Sequence, residues 1–389
     1  MQKTGNDQLL ANARGMVLFS SLLLLSLLMA VGVGALVAIQ SDYKITANLK
    51  QSVTVFYFAE AGIEWAKQQI AETVALPPRP PDRMESFSSG IFSVAFLSST
   101  TVAPLTAKIV IRSTGASGKS AQVVQAQITK GYDLADAAIA LRGEGGSVAF
   151  TNRSFLISGF DHDPITGGAV AGAKPRSAIS VSRTELELQA NAELAKLNTG
   201  NIFGAVAVSH SDLVPSDIVT RLADELCHAS NAVVATIPVA GTLSLGGQIW
   251  GTQSAPELHC VEGLSEPGDT ITTEGLFSGA GILVVRNAAL IASGTFRWDG
   301  LIIVTGANVE FRVTGEDNKD IYGAIVINET SLGPTASESI LTLQGAIRVL
   351  YSRAGFKRAA DLLPTATIEN LYPSLPATIT QDYWRSLNP

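Results

Sequence analysis

The chain has 389 residues, 46% of them hydrophobic, which is enough to bury a sizeable core and excludes a disordered polymer. Its formal charge of -7, with scattered acids and no basic stripe interleaved with aromatics, excludes a nucleic-acid partner. Two cysteines, Cys227 and Cys260, are too few for a disulfide scaffold, but one bridge between them suits a chain exported to an oxidising compartment.

The first element sets that compartment. Met16 to Ile39 carries no charge over 24 residues, and as a helix it reaches about 36 Å, more than a hydrocarbon core of about 30 Å. A cleavable secretory signal has a shorter apolar region and a small-residue cleavage site beyond it, and neither is seen here. Lys3 and Arg14 precede the segment and Asp42 follows it, so the positive-inside rule predicts a cytoplasmic amino terminus and residues 41–389 outside.

The next stretch, "LKQSVTVFYFAEAGIEWAKQQIAETVAL", repeats apolar residues at Leu49, Phe56, Ile63 and Ile70, with Val53 and Val74 in the neighbouring row. This heptad predicts that the membrane helix continues to about residue 75, where "LPPRPP" stops it. A single helix of about 60 residues would be about 90 Å long, which a mere tether does not need. Glu60 leans toward the packed seam, where such a carboxylate either snorkels, pairs locally or serves as an assembly contact. Gly62 reads as a packing notch rather than a hinge.

"ARGMVLFS" before a long apolar helix, followed by "FYFAEAGIEWA", resembles the PilX-type minor pilins and type II secretion pseudopilins of the type IV filament superfamily. The resemblance implies that residues 1–15 are a leader removed by prepilin peptidase between Gly15 and Met16. It also implies a methylated new amino terminus and a helix that passes from the inner membrane into a filament of other pilins or pseudopilins. Most major pilins carry Glu five residues into the mature chain, where this sequence has Ser20. Without that acid a neighbour's terminal amine has no ion-pair partner in low dielectric, so Ser20 favours a minor or tip subunit. The bulk would be periplasmic, or extracellular in the filament, with no cofactor and no catalytic role.

Residues 76–137 read as a proline linker and three strands, "GIFSVAFL", "TAKIVIRSTGAS" and "SAQVVQAQITK", which resemble the pilin-type sheet packed on the outer half of the helix. Residues 138–389 are rich in Gly and short strands, with "PSDIVTRLADELCHAS" as the one clear helical interval, its Ile218, Leu222 and Leu226 spaced by four. Phrases beginning at Gly281, Gly300, Gly323 and Gly345 recur at intervals of 19, 23 and 22 residues. That period fits a β-solenoid with one strand per coil, against a plain β-sandwich as the alternative. The expected fold class is therefore α+β: a long membrane and amphipathic helix on a small antiparallel sheet, followed by a β domain.

Candidate chemistry is sparse. Asp161, His162 and Asp163 in "SGFDHDPITGG" offer oxygen ligands for Ca²⁺ but lack EF-hand spacing, and Asx residues beside Pro and Gly ordinarily build turns. Cys227-His228 and His259-Cys260 suggest a Cys₂His₂ site, yet adjacent extended residues point to opposite faces, which favours a disulfide. An alternative function is a tethered β-helix enzyme acting on carbohydrate, or an adhesin. Glu310, Glu316, Asp317 and Asp320 lie near one coil as its candidate acids, or as a solvated loop.

Overall fold

The computed structural model describes residues 6–389 apart from 74–76, 79, 88, 104, 133–134, 144, 152–153, 198–199, 212, 229–232, 265–267, 332–338, 365–366, 368–376 and 388–389. Helix α1 runs unbroken from Asn6 to Glu72. Every residue from 16 to 50 is exposed, whereas Val55, Ala59, Ile63, Ala66 and Ile70 are buried. They pack on an antiparallel sheet of β1 (Arg83–Phe87), β2 (Gly90–Ala103), β3 (Thr106–Ser117) and β4 (Ser120–Tyr132).

The sheet comes very close to the helix. A Cβ on Gly115 would overlap the Val55 carbonyl, and one on Gly62 would overlap Ser113 Oγ. At these closest approaches the seam is built from small residues, while Ile63 and Ile70 fill the space between them; Leu49, which the heptad places on the same stripe, is 65% exposed. Val74 lies outside the described residues.

The β domain begins with β5 (Ala137–Gly143), β6 (Ser147–Phe150), β7 (Phe155–Ser158), β8 (Ser177–Val181), α2 (Thr184–Leu197), β9 (Ile202–Phe203) and β10 (Val208–His210). Helix α3 (Ser216–His228) leads into β11 (Val233–Val239), β12 (Thr242–Ser244), β13 (Ile249–Trp250), β14 (Glu257–Gly263) and β15 (Thr270–Thr272). Then come β16 (Leu276–Arg286), β17 (Ala289–Ala292), β18 (Thr295–Gly306), β19 (Phe311–Val313), β20 (Lys319–Glu329), β21 (Ser339–Leu343), β22 (Ile347–Tyr351), α4 (Arg353–Asp361) and β23 (Ala377–Leu387).

All strand pairs from β5 to β22 are parallel, as in a solenoid and not as in an antiparallel sandwich. The coils have three walls. The carboxyl-terminal halves of β16, β18 and β20 continue through β14 and β11 on one side and β5, β8 and β10 on the other, forming the first wall. β12, β15, β17, β19, β21 and β6 form the second. The amino-terminal halves of β16, β18 and β20, extended by β13 and by β22, β7 and β9, form the third.

One strand per coil is therefore corrected to a bent long strand plus a short one. The bend is at Gly281, Gly300 and Gly323, which are aligned across the coils at φ of 121°, 146° and 153°. Gly345 is not part of this ladder: Gly323 pairs with Tyr351, and Gly345 stacks against Gly315 in another corner.

Unbroken apolar runs such as "GILVV" follow from burial on both faces. Leu283, Val285, Ile302, Val304, Ile325 and Ile327 fill the solenoid interior. Ile282, Val284, Leu301, Ile303 and Val326 face out under Ile218, Leu222 and Leu226 of α3 and Ala359 of α4. Two helices, α2 and α4, add to the single helical interval read from the sequence. α2 buries Leu186 and Ala190, and α4 is a short helix capped by the Ser352 side chain.

A second correction concerns the domain boundary. β23 does not belong to the solenoid; it pairs antiparallel with β4, Ala377 opposite Tyr132, and completes a five-stranded sheet in the order β1-β2-β3-β4-β23. The solenoid is an insertion between two neighbouring strands of the helix-bound sheet.

Candidate assembly surface

The exposed half of α1 is the most apolar surface of the chain. The helix is long and apolar enough to cross a membrane. Met16, Leu22, Leu28, Leu36 and Ile39 are each exposed by more than half, and none of the described residues covers them. Gly15 and Met16 lie inside the helix, with no break at the bond between them. Ser20 Oγ donates to the Met16 carbonyl at 2.9 Å and lies 3.1 Å from that of Val17, so its hydroxyl is used within its own turn.

Where the helix meets the sheet, its side chains divide. Ile63 and Ile70 are buried under the strands. Phe56 is half-buried, its ring edge-on to Trp384 of β23 at 5.7 Å between centroids. Glu60 is half-buried and lines, with Ile63, Glu64, Gln381 and Trp384, a groove of about 350 Å³ between α1 and β23. The end of the helix is closed from the sheet. Lys130 of β4 donates its ammonium to the carbonyls of Ile70, at 2.7 Å, and Thr73.

The remaining candidate residues fall into separate places. Asp161 accepts from the Arg353 backbone at the start of α4, 2.8 Å away, while Asp163 accepts from the Ile165 backbone within its own turn. Cys227 of α3 and Cys260 of β14 are bonded, with Cα atoms 5.6 Å apart, which fastens the helix to the first wall. His228 turns back to the Asp224 carbonyl, and His259 stacks on Trp250 with Nε2 at 2.8 Å from Glu257.

The four acids near one coil do not converge. Glu310 is held by Arg312 and Thr342, Asp320 by Arg348, and the charges of Glu316 and Asp317 act on the Lys319 amine. Among the described residues no group of three or more His, Cys, Asp or Glu side chains is placed to hold a metal ion.

One polar residue escaped the sequence reading: Asp299 on β18 is 3% exposed, and burial pushes its carboxyl above the usual carboxylate range. The only acid in the run "FRWDGLIIV", two residues after Arg297 and directly before four apolar residues beyond Gly300, was the available signal.

No family model matches the chain, and no curated protein matches it. Among solved structures, the competence-associated pilin ComZ from Thermus thermophilus matches at 14% identity over 87% of this chain and 97% of that one. The TM-score is 0.26, below what two chains of one fold give.

Proposed function

We propose that the chain is a minor subunit of a type IV pilus or a type II secretion pseudopilus. Residues 16–39 anchor it singly in the inner membrane of a diderm bacterium, with the amino terminus cytoplasmic and the head outside. The observation that carries this reading is the division of α1. One continuous helix is bare from residue 16 to 50, apolar as far as Ile39 and then mixed, with Tyr43, Ile45 and Leu49 exposed among polar residues, and bears its whole folded head from there on. A tether needs a span and a flexible linker; a rigid helix that continues beyond the span with Tyr43, Ile45 and Leu49 uncovered offers contacts to neighbouring helices.

Other features agree with it. Ser20 supplies no carboxylate for a neighbour's terminal amine, which fits a minor or tip position better than a fibre-forming one. A Cys227–Cys260 bridge fits the oxidising side of the membrane. Prepilin peptidase acts between Gly15 and Met16 in this reading, at a bond that lies within the helix.

Two variants test the proposal in the native host. Gly15→Leu leaves the leader attached, seen by intact-mass spectrometry. Leu49→Asp alters a side chain that supports nothing within the fold, so the head melts as in the wild type while the protein disappears from the sheared-filament fraction. A mature chain starting beyond Ile39, or wild-type incorporation of Leu49→Asp, overturns the reading.

A further inference from the structure

The outer side of the third wall differs from the rest of the solenoid. Phe296, Trp298, Ile321 and Val349 point into the core, so the alternation of the strands puts Arg297, Asp299, Asp320, Tyr322 and Arg348 on the outside. Register places Arg297 beside Asp320, Asp320 beside Arg348, and Asp299 beside Tyr322. Arg348 binds Asp320 through two nitrogens, each 2.6 Å from a carboxylate oxygen, and the Arg297 guanidinium lies 5.0 Å over the Tyr322 ring. The Gln253 amide and Arg297 share one oxygen of Asp299, while Oδ1 has no hydrogen-bond partner among the described residues. The positive charge of Arg358 of α4 also acts on Asp299.

Residues 160–172 form a strap over this floor. Its base is fixed, with His162 N bonded to the Tyr351 carbonyl and Asp161 to the Arg353 backbone. Its tip reaches the floor through the Pro164 carbonyl, which accepts from Arg297 at 2.7 Å and lies 3.4 Å from the Gln253 amide. Gly167 sits against the Tyr322 hydroxyl. The polarity of the strap is inverted for a packing element. Ile165 is 74% exposed and Val170 45%, while the surface beneath is charged and hydrogen-bonding. Such a cover is held by a few hydrogen bonds rather than by apolar burial, and lifting it hydrates a buried carboxylate.

We propose that the strap is the movable cover of a binding floor for a hydroxyl-rich ligand, an oligosaccharide laid across the coils of the third wall. The floor is balanced, with two arginines, two aspartates, a phenol and an amide. A simple anion or cation would leave half of these groups opposed to it, whereas a sugar hydroxyl donates and accepts at every position. Successive coils lie about 4.8 Å apart, so β18, β20 and β22 present different polar groups to neighbouring units of a chain laid across them. This inference stands apart from the pilin-type reading.

Hydrogen exchange read by mass spectrometry on the full chain in detergent micelles tests it, with a panel of cello-, chito- and galacturono-oligosaccharides as probes. Amides of residues 163–170 are expected to exchange at least about tenfold faster than those of β18 and β20, and Arg297→Ala to speed them further. At least one oligosaccharide should slow exchange over residues 297–322. Asp320→Asn should weaken that effect about tenfold while leaving the melting temperature within a few degrees of wild type. The proposal is overturned by a strap that exchanges as slowly as β18. Failure of every oligosaccharide to bind overturns it equally, as does binding that survives both Asp320→Asn and Asp299→Asn unchanged.

Discussion

The Lys130 ammonium lies 2.7 Å from the carbonyl oxygen of Ile70 and is fully buried against the end of α1. A helix of this length ends in carbonyls that lack partners, and here the partner comes from strand β4. The arrangement joins helix and sheet at the point where the chain leaves the helix, so it fixes where the head sits on the rod. Tyr132 lies alongside, its ring 5.3 Å from the same ammonium.

The two groups give opposite signs to alkaline stability. Burial lowers the Lys130 amine from 10.5 to about 8, so between those values the unfolded chain binds more protons and stability rises with pH. Burial raises the Tyr132 phenol from 10.0 to about 12, so the folded chain keeps its proton longer and stability falls over that range. Urea midpoints measured from pH 7 to 12 should therefore pass through a maximum near pH 10. Lys130→Met should abolish the rising limb and cost roughly 1–3 kcal/mol at pH 7, because it leaves the carbonyls without a donor. A flat profile in both proteins would refute the assignment.

The corner ladder of the solenoid offers a second test. A Cβ on Gly300 would overlap the carbonyl of Gly281 in the next coil, and its φ of 146° is one that other residues rarely adopt. Gly172 also has positive φ, at 77°, but nothing lies within 4 Å of its Cβ position. Gly300→Ala should cost about 3 kcal/mol or more, and Gly172→Ala about 1. Equal melting temperatures for the two variants would show that coil contact is not what selects glycine in the ladder.

These positions also show which parts of the molecule could be read from its sequence. The Gly281, Gly300 and Gly323 repeat is visible because one steric demand recurs once per coil, and Gly345 misleads because a different corner also needs a glycine. In α1 the heptad finds Ile63 and Ile70, but the sheet approaches too closely for large side chains elsewhere. Ala59, Gly62 and Ala66 form much of the contact with little hydropathy to mark them, and Val55 lies off the heptad positions. The return of β23 to the first sheet is silent because its partner strand is set by three-dimensional closure, and its own residues, such as Gln381, Tyr383 and Trp384, name no neighbour. Asp299 is hidden for a related reason, since its burial depends on a strap that precedes it by more than a hundred residues.

The Cys227–Cys260 bridge ties α3 to a wall that Arg286 also holds, through Asp224 at 2.6 Å and Glu262 at 3.2 Å. The bond closes a loop across a sequence separation of 33 residues, so its reduction should lower stability by roughly 2–4 kcal/mol. Alkylation of the native protein should label neither cysteine, and reductant should lower the melting temperature of wild type but not of Cys227→Ser/Cys260→Ser. Quantitative labelling of both thiols without denaturant would remove the bridge from the account.

The insertion of the solenoid between β4 and β23 makes the strongest prediction about how the chain divides its work. Tyr132 and Ala377 face each other across an antiparallel pair, so the two ends of the insert are as close as the ends of a hairpin. The buried cluster under the sheet, including Ile63, Ile70, Phe92, Ile109, Ile111, Val124 and Ile128, takes none of its buried members from the solenoid among the described residues. Deleting residues 133–376 and joining Tyr132 to Ala377 through Asn-Gly should therefore leave a five-stranded sheet that still folds on α1. Leu105 packs against the solenoid side and would be uncovered, so Leu105→Ser belongs in the same variant to keep the new surface soluble. The shortened protein should unfold cooperatively in urea and reach the sheared-filament fraction at the level of the full chain, while losing any oligosaccharide binding. If it misfolds even with Leu105→Ser, the helix-bound sheet depends on the solenoid; if it folds but stays in the membrane, the solenoid itself carries assembly contacts.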